Sequence, residues 1–178
     1  MSDLNKLFIY LGVVLLFGLH SSKAQDITRT NWYFGNSDLN LLFDKNGRQA
    51  VLETKQNVRF SKNGSVVIND QFTGNLLFYT DGQVIYDASQ KLLPSIISGS
   101  ILSGDTSYNQ PVVVSPNPNN NNQYYLFTNS QNELQYSLID ASIAGNSAIP
   151  EFPLGEVSSY NLATGLPGQS EGMKVLPA

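Results

Sequence analysis

The stretch "GNLLFYTDGQVIYD", Gly74 to Asp87, decides how this chain folds. Two apolar runs flank Asp81-Gly82, and an Asp-Gly link between strands predicts a two-residue type I′ hairpin loop, whose twist matches that of the strands it joins. Upstream, "SVVIN" (65–69) leads through the Gly-ended connection "DQFTG" into the same run, so residues 65–87 read as a three-stranded antiparallel meander. In "NLLFYT" the successive residues Leu76, Leu77, Phe78 and Tyr79 point to alternate faces, and all are apolar or aromatic. A sheet wetted on one face would alternate with polar residues. The meander is therefore expected to be covered on both faces by neighbouring sheets.

The unit recurs. "LLFYTDGQVIYDAS" and "YLFTNSQNELQYSLIDAS" share an apolar-aromatic strand, a polar turn, and a second strand carrying a Tyr and ending in Asp-Ala-Ser. Phe78 and Phe127 are 49 residues apart, Tyr86 and Tyr136 are 50 apart, and Asp87 and Asp140 are 53 apart, which implies a longer second strand in the second copy. A repeat of about 50 residues built from short strands falls in the range of propeller blades, four-stranded sheets packed face to face around an axis.

Working outward, short runs rich in Val, Ile, Leu, Phe and Tyr alternate with Gly, Asn, Asp and Pro, the pattern of strands and tight turns. Further strands are predicted at 31–35, 40–44, 49–53, 111–115, 124–129 and 133–139, with Asn46-Gly47 as a positive-φ turn. The Pro/Asn tract "SPNPNNNNQ" (115–123) reads as a solvated turn. After Asp140 the breakers multiply and no clear pair of strands is visible, although Met173 to Leu176 reads like the start of another strand. The fold class expected is all-β, a partial β-propeller of two to three blades, preceded by a signal-peptide helix.

At the N-terminus, Lys6 precedes a 13-residue apolar run, Leu7 to Leu19, followed by "HSSKA". A basic start, a short apolar middle and a small-residue end form a secretory signal peptide, and the run is shorter than the roughly 20 residues of a membrane span. Cleavage is placed after Ala24, giving a leader over 1–24 and a propeller-like domain over 25–178, expected to be truncated at its C-terminus. The whole chain carries a net charge of −4, and loss of Lys6, Lys23 and Asp3 with the leader makes the mature chain one charge more acidic. Without a basic cluster it cannot neutralise phosphates, so nucleic acid is not expected as a partner. There is no cysteine, and the one histidine, His20, lies in the leader. Ser-His-Asp and Cys-His nucleophile systems are thereby removed, as are His- or Cys-ligated zinc and copper sites. Carboxylate chemistry, a hard oxygen-ligated cation, or no chemistry remain.

"NWYFGNSDLNLLFD", "FTGNLLFYTDGQVIYDASQKLLP", "QPVVVSPNPNNNNQYYLFT" and "LQYSLIDAS", in that order across 31 to about 141, resemble the N-terminal region of large Bacteroidetes cell-surface proteins, the gliding-motility-associated or type IX-secreted adhesin-like polypeptides. The resemblance implies a WD40-like or β-propeller-like region, export, surface display, and a longer polypeptide with adhesive repeats and a sorting domain.

The sharper candidates are each matched by a simpler role. Asp81 and Asp87 flank a strand and could act as the carboxylate pair of a glycosidase, which needs the two groups about 5–10 Å apart across a cleft, but turn and strand-end roles suit them better. Asp70, Asn69 and Asn75 crowd one turn without a calcium-loop pattern. Trp32, Tyr33 and Phe34 could form a sugar platform, yet adjacent strand residues cannot all face one way, and Tyr124-Tyr125 divides similarly. "NGS" at 63–65 matches a glycosylation sequon and a turn equally. No catalytic, cofactor-binding or metal residue is assigned, and no cofactor is expected. The function expected is non-catalytic: an exported cell-surface interaction, adhesion or scaffold domain. The alternative is a carbohydrate-binding or carboxylate-based carbohydrate-active propeller. Partners expected are a surface protein, a glycan, or the remainder of its own propeller, with no membrane span once the leader is removed. Residues 25–178 alone, with open sheet edges, are expected to be marginally stable and to associate.

Overall fold

The computed structural model describes residues 31–33, 39–43, 50–54, 64–95, 102–130, 132–168 and 173–174. The leader over 1–24, Phe34, the Asn46-Gly47 turn and Asn63 of the sequon lie outside them. The described residues form ten strands: β1 (Asn31–Tyr33), β2 (Leu39–Phe43), β3 (Ala50–Thr54), β4 (Val66–Asn69), β5 (Leu76–Thr80), β6 (Ile85–Asp87), β7 (Val112–Asn117), β8 (Asn120–Asn129), β9 (Glu133–Asp140) and β10 (Glu156–Pro167). They make three antiparallel sheets, none closed on itself: β1-β2-β3, β4-β5-β6 and β7-β8-β9-β10. Among the described residues no helix is long and apolar enough to cross a membrane.

Each sheet is a meander, and the first strands of successive sheets are neighbours, β1 beside β4 and β4 beside β7. The middle sheet is buried on both faces. Phe78 and Ile85 pack towards the third sheet with Leu126, Tyr124, Ile139 and Val157, while Val66 and Ile68 border the same cluster. On the opposite face Tyr79 meets Tyr33 of the first sheet, with Val67 and Tyr86 alongside. The Tyr79 ring lies 4.9 Å from that of Tyr33 and 5.3 Å from that of Tyr86. Asn31 Nδ2 also donates to Asn69 Oδ1 at 2.6 Å across this boundary. The apolar content on alternate positions of "NLLFYT" thus has its expected cause.

A short stretch beyond β6 extends the middle sheet and ties it to the third. Leu92 bridges Tyr86, Leu93 N donates to Ile85 O at 2.8 Å, and Val157 N donates to Pro94 O at 2.9 Å. The Asp87 carboxylate, wholly buried, accepts from Ser89 N, Ser89 Oγ and Lys91 N, and its second oxygen accepts from Asn146 Nδ2 at 2.7 Å. Asn146 belongs to the β9–β10 connection, so this carboxylate clamps two sheets.

Three features depart from the sequence reading. The Asp81-Gly82 turn is a four-residue loop between the paired Thr80 and Ile85, not a two-residue type I′ link. Asp81 Oδ1 accepts from Gln83 N and Val84 N, Thr80 Oγ1 donates to Val84 O, and Gly82 alone takes a positive φ of 90°. The carbonyls of Gly82 and Gln83 accept from Gly104 N and Leu102 N of the incoming segment, which holds the loop open. That crossing is close: a Cβ on Gly104 would stand 2.5 Å from Gly82 O.

Second, the Asn tract is mostly strand. Asn117 pairs with Asn120, leaving Pro118-Asn119 as the turn. Asn117 Oδ1 and Asn120 Oδ1 satisfy the nearby N–H groups of Asn119 and Asn122, and Pro116 is tolerated because β7 is an edge strand. Third, β10 completes the third sheet where no strand was expected. Its pairing with β9 slips three times, and Asn161 takes a positive φ of 43°. An irregular outer edge of this kind carries no clean two-residue alternation.

Candidate interaction face

The site begins with the register of the third sheet. On β8, Tyr124, Leu126 and Thr128 turn back towards the middle sheet and are buried. The alternate residues Tyr125 and Phe127 therefore point the other way, and each is half-buried. Phe127 is paired with Val113 on β7 and with Tyr136 on β9, and Tyr125 is paired with Ser115 and Leu138. On β10, Leu162 stands opposite Tyr136 and Leu166 opposite Leu134. Directly paired residues share a face, so four strands contribute to one apolar surface.

The aromatic rings on it touch one another. Phe127 lies 6.2 Å from Tyr136 and 6.4 Å from Tyr125, and Tyr125 meets Tyr136 edge-on at 6.1 Å. Towards β7 the surface dips into a cavity of about 400 Å³ lined by Val113, Ser115, Phe127, Leu134, Met173 and Lys174. Gln110 Nε2 donates to Met173 O at 2.7 Å and holds that segment against the sheet. Leu162 and Leu166 remain exposed at 41% and 55%.

The ladder of the middle sheet has the same layout. There the row Ile68–Phe78–Asp87 corresponds to Val113–Phe127–Tyr136, and the Thr80–Ile85 pair corresponds to Asn129–Leu134. Ile68, Phe78 and Ile85 are the residues that pack onto the third sheet. Their counterparts Val113, Phe127 and Leu134 line the cavity.

The carboxylates are engaged in turns. Asp87 has the four partners given above, and Asp81 caps the loop that begins with it. Asp140 repeats the Asp87 motif, its Oδ1 accepting from Ser142 N at 2.9 Å and Ser142 Oγ at 2.5 Å. Asp105 does the same with Ser107. Burial pulls the Asp140 carboxyl upward, but the bonds from Gln123 and Ser142 outweigh it and hold its pKa below the usual carboxylate range. Asp70 balances likewise: desolvation is outweighed by bonds from Thr73 and Phe72, and its pKa falls. Asn69 turns towards Asn31 and Asn75 is exposed, so the calcium candidates do not converge with Asp70. Among the described residues no group of three or more His, Cys, Asp or Glu could hold a metal ion.

The aromatic candidates divide as the strand period requires. Trp32 is 45% exposed while its neighbour Tyr33 is buried against Tyr79. Tyr124 is buried edge-on to Phe78, and Tyr125 joins the open face. What the sequence reading missed is this face as a unit, because half of its outer edge sits on the unrecognised β10. The signal that could have found it is the alternation of Val113, Tyr125, Phe127, Leu134 and Tyr136 at every second position of three predicted strands. No protein-family model, curated protein or solved structure matches the chain.

Proposed function

We propose that this chain is an exported, non-catalytic interaction and scaffold module of the propeller type, which acts through the open face of its third sheet. The observation that carries the reading is that face: a four-stranded, aromatic-centred apolar surface that no other sheet of the described residues covers. Contiguous exposed apolar surface of this kind marks sites of association in soluble proteins. The propeller reading is supported by three stacked meanders whose first strands β1, β4 and β7 run side by side, as inner strands of blades do. Placement at the cell surface rests on the leader-like N-terminus and on the resemblance to gliding-motility-associated and type IX-secreted proteins.

The turn-bound carboxylates support a non-catalytic role, since a glycosidase acid must face its substrate rather than cap a loop. The test is to apply the labelled chain to envelope fractions of the cells that make it and to a glycan array. Saturable envelope binding that weakens at least tenfold in Tyr136→Asp supports the reading. Binding that this substitution leaves unchanged would remove the face from the mechanism, and release of reducing ends from any bound polysaccharide would make the chain an enzyme. Glycan binding that depends on Tyr125 and Tyr136 would favour the carbohydrate-binding alternative.

A further inference from the structure

The first sheet presents the opposite end of the stack. Tyr33 faces the middle sheet, so Trp32 faces away, and pairing puts Leu41 and Leu52 on Trp32's side. Phe43, two residues from Leu41, shares that side, and its ring lies 5.1 Å from that of Trp32. Trp32 is 45% exposed and Leu52 is 61% exposed. Both ends of the stack are therefore apolar. They also differ in polarity. At each internal boundary, the outgoing face of one sheet meets the incoming face of the next, with first strands adjacent. Among the described residues no sheet covers the outgoing face of the third sheet, which the Met173–Lys174 segment borders, or the incoming face of the first.

We infer that the occupant of the open face is a second copy of this chain, stacked head to tail, so that the first sheet of one copy continues the stack of the other. This rests on the interaction reading above and names its partner. Keeping the internal alignment sets β1 of the incoming copy over β7, so that Trp32 enters the cavity between Val113 and Phe127. It also sets β3 near the outer strands, with Leu52 towards Leu162. The fit follows from the shared row pattern: Val113, Phe127 and Leu134 repeat the arrangement by which Ile68, Phe78 and Ile85 bury themselves against a neighbouring sheet. A contact between two different faces is heterologous, and it closes into a ring when the rotation per copy permits and otherwise extends into a filament. A ring of two uses both ends of each copy and leaves no apolar end face exposed.

Sedimentation velocity of the chain purified from the cells that export it, over a hundredfold range of concentration, reads the assembly directly. Leu52→Asp and Leu162→Asp alter exposed positions at opposite ends, and circular dichroism checks that both variants keep the sheet fold. The expected result is that the wild type self-associates, that each variant alone weakens association at least tenfold, and that an equimolar mixture of the two forms a dimer again. The mixture recovers because it retains one intact pair of unlike ends. A monomeric wild type at every concentration overturns the inference, as does loss of association in only one variant, which would mean like ends meeting. If the chain stays monomeric yet binds envelope fractions through Tyr136, the interaction reading stands and the second copy does not.

Discussion

Phe78 and Phe127 hold the same place in two successive sheets, yet Phe78 is sealed beneath the next sheet and Phe127 is half open beside a cavity. The two sheets share strand order, row pattern and the Asp-x-Ser motif that ends the hairpin. They differ in what lies over the outgoing face. The comparison teaches that two sheets can carry the same apolar pattern on the same face while only one of those faces is covered by another sheet. Burial then converts the same residue from a potential contact into part of the core.

The contrast is sharpest in stability. Phe78→Ala should cost about 3–5 kcal/mol, the range for emptying a fully buried aromatic site. Phe127→Ala should cost about 1 kcal/mol in a monomer, because a half-covered ring loses less apolar burial and leaves no enclosed void. Urea titration at low protein concentration checks both. Equal losses would show that the face of the third sheet is covered in solution, and the Phe127→Ala cost should grow with concentration if a second copy covers it.

The paired carboxylates give a smaller difference of the same kind. Asp87→Ala strands several buried donors, including Asn146 Nδ2 from the neighbouring sheet, and should cost about 1–3 kcal/mol. Asp140→Ala opens its groups to water and should cost roughly 0.5–1 kcal/mol. Both follow from the same titration, and amide exchange should rise at Ser89 and Lys91 only in the first variant.

The smallest effects come with pH. Burial, with the Tyr33, Tyr86 and Asp87 charges behind it, raises the Tyr79 phenol pKa. Burial also pushes Tyr160 up to about 12, and burial followed by Asp70 raises Tyr124. A folded pKa above the unfolded value means stability that is intact below the ordinary phenol value of 10 and declines as pH rises beyond it. Asp70 and Asp140 act in the opposite sense, since their folded pKa values are lowered. Their contribution is full above the unfolded value of 3.8 and is lost as pH falls through the lower folded values. Melting curves across pH should therefore show an alkaline loss that Tyr79→Phe reduces, and an acid loss that Asp140→Asn reduces.

Much of the frame was readable because it depends on local alternation. Tyr33 and Trp32, or Tyr124 and Tyr125, had to part company on a strand, and they do. The middle sheet had to be covered twice because Phe78 and Tyr79 point to opposite faces. The turn at Asp81 was visible as a turn, but its type was not, since Leu102 and Gly104 from a later segment take the carbonyls that shape it. β10 was hidden for a related reason: its strand state comes from pairing with β9, through slips and a positive φ at Asn161, and not from any alternation of its own.

By itself, then, the sequence determined an all-β chain of short meanders with apolar residues on both sides of the central one, because side-chain direction alternates with a period of two. Tertiary structure alone decided which apolar face is sealed and which stays open. Phe78 and Phe127 are the same residue at matching positions, and only the arrival of another sheet over one of them separates core from contact surface.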